Sequence, residues 1–206
     1  MRVKRGKWRM EDQHSSRADE SFADIRQKVL SRDKFTCVHC GFRSEKYQEV
    51  HHLDDNHANN SPSNLATVCP LCHSVHHIGF AGGKGAILIW WPEISQVDFN
   101  NLLRTVWIAI AFGEDDLRAK AKNLLSLIEH RRQMVLNILG TDSPVDVANA
   151  LLNMNESQMK SADQTLSGVR LMVPASAFED AITYWGRGTY KELMPDTWAQ
   201  LLAEAP

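Results

Sequence analysis

The stretch of sequence that decides the fold is residues 49–77, EVHHLDDNHANNSPSNLATVCPLCHSVHH. It holds six of the nine histidines and two of the four cysteines in a chain of 206 residues. Thiolate and imidazole side chains are the ligands that zinc and related transition metals prefer in proteins. The density of these side chains predicts that the segment is built around a metal ion.

The four cysteines fall into two CxxC pairs, Cys37 with Cys40 and Cys69 with Cys72, and 28 residues separate the pairs. A CxxC turn directs both sulfurs toward one ion, and Gly41 permits the tight backbone after the first pair. Four thiolates at about 2.3 Å saturate a tetrahedral Zn²⁺ and leave no open position, so such a site is structural. A redox-active CxxC or reduced core cysteines are the alternatives, but two pairs with no cysteine left over favour zinc.

The histidines predict a second ion. His51 and His52 are adjacent, so on a strand they point to opposite faces and cannot easily bind one ion together. His73 and His77 are four residues apart on a predicted helix, and with His51 they would leave positions open for water and a phosphate. His52 would then lie beside the metal as a general base with an ordinary pKa of about 6.5. His76 is an alternative to His77, and extra ligation of the first zinc is a further alternative.

Hydrophobic periodicity and turn signals predict the other elements. The predicted helices are residues 21–33 with Ser21 as cap, a short helix from Ser63 or Asn64 into CPLCHSVHH, residues 98–112, residues 114–139, a helix capped by Ser143, residues 178–185 and residues 197–204. The predicted strands lie in a hairpin within residues 35–53, at residues 86–91 and at residues 169–174. We expect residues 11–20 to be a linker, residues 153–165 to end the helix that begins at Ser143, and His57 to be solvated.

These elements predict an α+β chain in three parts. A basic and polar N-terminal arm occupies residues 1–20, a zinc module residues 21–90, and a mostly helical C-terminal region, packed on the module, residues 91–206. Five of the first nine residues are Lys or Arg, so the arm is either a solubilising tail or a contact for phosphates or an acidic partner. The net charge of -2 argues against a protein that coats nucleic acid through bulk electrostatics.

The apolar segments are short. The longest apolar run, residues 86–92, is far below the length of a membrane span, and the basic start lacks the apolar segment of a secretory signal. We therefore expect a cytoplasmic location without direct insertion into a membrane.

Several segments resemble the HNH endonuclease family in the same order: RQKVLSRDKFTCVHCG, EVHHL, NL and CPLCHSVHH, over about residues 24–77. The resemblance implies a ββα-metal fold, a treble-clef module with flanking zinc knuckles. It also implies roles for six residues: His51, His73 and His77 as ligands of a divalent metal, His52 as general base, Asn64 as brace of the loop, and Glu49 as the group that orients a ligand. The implied reaction is hydrolysis of a DNA phosphodiester, with His52 activating water while the metal polarises the phosphate.

A second resemblance covers nearly the whole chain. CVHCGFRSEKYQEV, SPSNLATVCPLC, a Gly-rich turn, a strand ending in WPEISQVDFNNLL, and the tail segments VRLMVP and ITYW are similar to the IcmJ (DotN) family of type IVB (Dot/Icm) secretion systems. This resemblance implies a small subunit that binds the hexameric coupling ATPase and other coupling-complex subunits. It also implies a place at the inner face of the bacterial inner membrane, where the subunit helps to assemble the platform that receives substrates.

Two functions follow from the sequence. The first is a zinc-stabilised adaptor, which the large helical region favours. The second is an active metal-dependent HNH endonuclease, for which nucleic acid would be a partner.

The tryptophans bear on the choice between these two functions. Tryptophan is favoured at surfaces that a partner protein covers. The alternative is that the tryptophans fill the core. Five of them lie at the end of the module and in the helical region: Trp90, Trp91, Trp107, Trp185 and Trp198.

Overall fold

The computed structural model describes residues 15–56, 58–198, 200 and 203. His57 and the five basic residues among the first nine lie outside the described residues. Four of the eight residues of the helix predicted at residues 197–204 lie outside them as well.

The described residues form nine α-helices and four short strands. In chain order these are α1 (Ser15–Arg32), β1 (Glu49–His52), β2 (Leu65–Val68), α2 (Pro70–His76), α3 (Ile78–Gly83), β3 (Ile87–Trp90), α4 (Gln96–Phe112), α5 (Asp115–His130), α6 (Arg132–Leu139), α7 (Pro144–Leu152), α8 (Glu156–Thr165), β4 (Val169–Met172) and α9 (Glu179–Arg187). This content confirms the expected α+β class.

Strands β1 and β2 and helix α2 form the expected ββα unit. The strands pair antiparallel, with Glu49 opposite Val68 and His52 opposite Leu65. The helix predicted in CPLCHSVHH forms as α2, but its predicted start at Ser63 or Asn64 is wrong, because only a single 3-10 turn forms there and the chain then enters β2. All four residues of β2 are buried, and a segment covered on both faces carries no helical periodicity in its sequence.

Helix α1 supports the unit from one side and contacts both strands. At its end, Arg32 donates hydrogen bonds to the Pro62 and Leu65 carbonyls at 2.6 and 2.7 Å. The helix begins at Ser15 rather than at the predicted cap, Ser21, so residues 15–20 of the predicted linker are helical. Because these residues include the good helix formers Arg, Ala and Glu, they can extend a helix that packing stabilises further along.

The helical region joins the module through a second sheet. Strand β3 pairs antiparallel with β4, which places Ile87 opposite Met172 across more than eighty residues of intervening chain. One hydrophobic cluster includes Val68 and Leu71 of the module together with Phe99 of α4 and Trp185 of α9. The two parts therefore share a core, and their division near residue 90 stays a prediction.

The single helix predicted at residues 114–139 is wrong, since the chain breaks there into α5 and α6 at Arg131. The Arg131 carbonyl accepts a hydrogen bond from the Trp90 N–H at 3.3 Å, and the Arg131 Nε donates to the Trp90 carbonyl at 3.0 Å. These two hydrogen bonds tie the end of β3 to Arg131, where the helix is interrupted. The two residues are far apart in the sequence, so no local pattern predicts the contact.

The next two helices, α7 and α8, each begin with a side-chain capping hydrogen bond. Ser143 caps α7 as predicted, accepting a hydrogen bond from the Asp146 N–H at 3.3 Å. Residues 153–165 end this helix, as expected, since α7 stops at Leu152, but they also contain a helix that the sequence did not predict, α8. Asn155 and Gln158 form a reciprocal capping box that starts α8, and the sequence NESQ carries that signal.

The tryptophans belong to the core. Trp107 and Trp185 are buried, and the other three, Trp90, Trp91 and Trp198, are half-buried and pack against the same hydrophobic cluster. The interpretation that they fill the core therefore holds.

Within the described part of the chain, no helix has both the length and the apolar character to cross a bilayer.

The close contact between α9 and α4 gives a first prediction. A Cβ added at Gly186 would overlap the Phe112 ring, whereas a Cβ added at Gly83 of α3 meets no atom within 4 Å. We expect Gly186→Ala to lower the free energy of unfolding by about 1–3 kcal/mol through overpacking. The matched change Gly83→Ala should leave it unchanged or raise it by about 0.4–1 kcal/mol. Urea denaturation measures both, and equal effects would contradict the packing described here.

Candidate metal centre

The first CxxC pair lies in the loop between α1 and β1, and the second begins α2. Gly41 has a φ of 71°, in the left-handed region, and its N–H donates a hydrogen bond to the Cys37 carbonyl at 2.9 Å. Cys69 is the residue before the first turn of α2, and Cys72 lies within the helix, which carries proline at its first position. One tight turn and one helix start thus present two sulfurs each.

The four sulfurs of Cys37, Cys40, Cys69 and Cys72 lie within 4.8 Å of one another. The Cys40 and Cys69 sulfurs are 3.6 Å apart, close to the roughly 3.8 Å that a tetrahedron with zinc–sulfur bonds of about 2.3 Å requires. Three of the cysteines are buried and Cys40 is partly exposed. The predicted set is therefore close enough to hold one metal ion.

Sharing of protons within the cluster sets the pKa values of the thiols. Hydrogen bonds, first of all with Cys40, hold the pKa of the Cys37 thiol well below its usual range. Hydrogen bonds with Cys37 in turn raise the pKa of the Cys69 and Cys72 thiols. A bound zinc ion would deprotonate all four sulfurs, so binding should release protons and weaken in acid.

Two polar side chains of α4 complete the surroundings of the sulfurs. Arg104 is 2% exposed, and its Nη2 lies 3.3 Å from the Cys69 sulfur and 3.9 Å from the Cys40 sulfur. Asn100, which is 1% exposed, directs its Nδ2 toward the Cys72 sulfur at 3.5 Å. Among the described residues Arg104 forms no ion pair with a carboxylate.

The charge of Arg104 tests whether a metal fits the cluster. A buried cation is stabilised by a counter-charge, which thiolates supply and neutral thiols do not. Four thiolates around Zn²⁺ carry a net charge of about -2, which the guanidinium of Arg104 partly offsets. The donor set and its surroundings therefore fit a zinc ion held by the four cysteines.

Sequence reasoning missed Arg104 and Asn100. The signal was present, because two polar residues four apart lie on the buried face of a helix that is otherwise apolar there. Their partners, however, are about thirty or more residues away in the sequence, so only the packing of α4 on the module showed what they contact.

The second predicted group, His51, His73 and His77, also converges. One ring nitrogen of each lies within 4.8 Å of the others, and the Nε2 atoms of His73 and His77 are 3.1 Å apart. Glu49, on the same face of β1 as His51, forms a hydrogen bond with the Nδ1 of His73. That contact orients the His73 ring and leaves its Nε2 directed at the other histidines, as a group that positions a metal ligand would do.

His51 is held in the form that a metal needs. Burial, and then the neighbouring imidazoles, lower the pKa of His51 to about 3. The ring is therefore neutral at physiological pH, and a neutral imidazole has the lone pair that binds a metal. The chemistry of the three-histidine group fits a divalent transition ion with open positions.

His52 lies on the other side of the strand. It is 5% exposed, its ring stacks on Phe22 of α1 with centroids 5.5 Å apart, and its Nε2 is 2.9 Å from the Asn60 Oδ1. A phosphodiester would have to displace part of α1 or of the loop to reach this ring. The covering of the predicted base is not visible in the local motif, because Phe22 lies thirty residues away.

Asn64 holds the loop between β1 and β2. Its Nδ2 donates to the Asp54 Oδ1 at 2.7 Å and to the Asn59 carbonyl at 2.9 Å. Its Oδ1 accepts from the Asp54 N–H at 3.1 Å. Hydrogen bonds, first that from Asn59, lower the pKa of Asp54 to about 2. These contacts show how Asn64 can brace the loop.

Comparison with known proteins adds to this geometry. No family model matches the chain. A probable HNH endonuclease of Lactococcus phage SK1 is 38% identical over 72 residues, which cover 31% of this chain and 77% of the phage protein. The type 4 apparatus protein DotN of Legionella pneumophila is 29% identical over 194 residues, which cover 91% of this chain and 89% of DotN. The chain is therefore similar to DotN (IcmJ) over nearly its whole length.

The two matches cover different lengths of the chain and therefore support different conclusions. The shorter match supports the HNH-like module. The match to DotN covers so much of the chain that it must include the helical region. This DotN-like chain thus carries an HNH-like module within a larger structure. The contact of Arg104 with the cysteine cluster shows how the two parts meet.

Charge compensation gives a second prediction. We expect Arg104→Gln to weaken zinc binding about ten- to a hundredfold, because the thiolates lose a buried positive donor. Competition with a chromophoric chelator measures the affinity. Arg118→Gln, a change to an arginine paired with Asp115 on the surface of α5, is the matched control and should bind zinc as the wild type does. Cys69→Ser should lose the zinc altogether. An unchanged affinity in folded Arg104→Gln protein would refute the role of the guanidinium.

Proposed function

We propose that this chain is a zinc-stabilised adaptor subunit of a type IVB secretion or conjugation coupling complex. In this role it binds the coupling ATPase and other subunits and helps to assemble the platform that receives substrates. The similarity to DotN over 91% of the chain carries the proposal, since it spans more of the chain than an HNH module alone accounts for. The location that follows is the cytoplasm, at the inner face of the inner membrane, through the partner.

The metal centre supports a structural role for zinc. Four sulfurs leave no coordination position open for a substrate. Arg104 and Asn100 of α4 close the cluster from the helical region, so a zinc ion there would hold the two parts of the chain together. Such a site stabilises a binding surface rather than a reaction.

An apolar face on α5 and α6 supports the role of partner binding. Large exposed apolar side chains lie three residues apart on α5 and four apart on α6, so each pair shares a face of its own helix: Leu124 and Leu127, and Met134 and Ile138. Leu127 is 67% exposed and Met134 is 49% exposed. An apolar stripe at helical spacing normally faces a core, so an exposed one is typical of a surface that another protein covers.

A second function, metal-dependent hydrolysis of a DNA phosphodiester, has one observation in its favour. His51, His73 and His77 lie close enough to hold an ion. When bound, a divalent ion would polarise the phosphate and stabilise the leaving oxygen. In the reaction that the resemblance implies, His52 would take the proton of the attacking water, Glu49 would orient His73, and Asn64 would hold the loop.

The position of His52 weighs against turnover and gives a third prediction. We expect no nicking of supercoiled plasmid DNA by the purified chain with Mg²⁺, Mn²⁺, Ni²⁺ or Zn²⁺ above the level of His52→Ala, because the ring is covered by Phe22. Agarose gels measure the conversion to open-circular DNA. Cleavage by the wild type that His52→Ala abolishes would establish the nuclease instead.

A fourth prediction concerns the partner. Tagged full-length chain expressed in its native host should retain the coupling ATPase in a pull-down, identified by mass spectrometry. His52→Ala should retain it equally. The double change Leu127→Glu and Met134→Glu should reduce the retained ATPase at least tenfold, since it places charges in the apolar face.

The matched control is Leu53→Glu, which changes an apolar side chain that is 49% exposed in the loop after β1. It should retain the ATPase. Equal loss in the control and in the double variant would remove the α5–α6 face from the proposal. Failure of the wild type to retain any coupling ATPase would reject the adaptor function itself.

A further inference from the structure

Five imidazoles gather at one edge of the module, which is two more than the three-histidine group requires. The additional rings belong to His39 and His76. Their Nε2 atoms are 3.2 Å apart, and their ring centroids are 5.1 Å apart. This nitrogen separation is nearly the same as the 3.1 Å between His73 and His77.

The two rings come from separate parts of the chain, and the cysteine cluster positions both of them. His39 lies between Cys37 and Cys40, in the loop that the Val38 N–H ties to the Thr67 carbonyl at 2.9 Å. His76 lies four residues after Cys72, on the same face of α2. A metal held by the cysteines would therefore fix the backbones that carry both imidazoles, before any second ion binds.

The pair is open to solvent on one side. His39 is exposed and His76 is half-buried, while the ring of His76 lies 4.4 Å from the ring of the buried His51. Water can satisfy exposed imidazoles without bringing them together. Two ring nitrogens that converge at the surface from separate backbone elements are instead the arrangement that a transition ion uses.

We propose that His39 and His76 form a separate, solvent-accessible site for a borderline divalent ion such as Zn²⁺, Ni²⁺ or Cu²⁺. The two imidazoles supply two nitrogen ligands, and water occupies the remaining positions. The site is distinct from the four cysteines and from His51, His73 and His77. It does not depend on the adaptor function or on nuclease activity.

Equilibrium dialysis of the full-length chain against Zn²⁺ tests the site. We expect His39→Asn and His76→Asn each to bind one ion per chain fewer than the wild type at saturation. His130→Asn, an exposed histidine in the last turn of α5, is the matched control and should bind as many ions as the wild type. The thermal unfolding midpoint and the thiolate-to-metal charge-transfer band of Co²⁺-loaded protein show whether the cysteine cluster is intact in each variant.

A double variant separates two sites from one. If His39 binds its own ion, His39→Asn should remove one ion whether or not His77→Asn is also present. If the five histidines form a single site instead, His39→Asn, His77→Asn and the double variant should all bind the same number of ions, one fewer than the wild type. That result would show that the proposal is wrong. An unchanged ion count in both His39→Asn and His76→Asn would show that the rings only share a hydrogen bond. Loss of the Co²⁺ thiolate band in both variants would also overturn the proposal, because the histidines would then act on the cysteine cluster.

Discussion

The contact between the Arg104 guanidinium and the cysteine sulfurs joins the two parts of this chain. Arg104 is among the largest fully buried side chains of the protein, and its guanidinium also lies over the Phe42 ring, 3.7 Å from the centroid. A buried charge of this kind is stable only opposite another charge. Four thiolates held by a zinc ion would need a positive donor, and Arg104 would gain their counter-charge, so the cysteine cluster and α4 would stabilise each other.

This dependence explains why an HNH-like module can serve as a scaffold. In the ββα unit the cysteines hold the loop after α1 and the start of α2, and α4 packs over the sulfurs. The β3–β4 pair joins the end of the module to the later part of the helical region. Helices α5 and α6 are thus carried on a rigid core, which leaves their exposed apolar face available to a partner.

The histidines illustrate how one strand can separate two roles. Alternation along β1 sends His51 toward His73 and His77 and sends His52 toward Phe22. Catalysis by this motif requires both a metal and a base that reach the same phosphate. Here the three histidines that could hold an ion converge, while Phe22 of α1 covers the predicted base His52, so the arrangement fits the binding of an ion better than turnover.

The sequence by itself determined which cysteines and which histidines come together, the ββα order and the class of fold. CxxC spacing and residues four apart on a helix are short-range patterns, and the geometry they imply does not depend on distant chain. The prediction from sequence failed at β2, which is buried on both faces and has no alternating pattern. It also missed α8, whose capping box lies in a polar segment. Only the tertiary structure decided what Arg104 contacts, where Arg131 breaks the α5–α6 helix, and what covers His52. Each of these depends on packing between residues thirty or more positions apart, for which a single sequence carries no local signal.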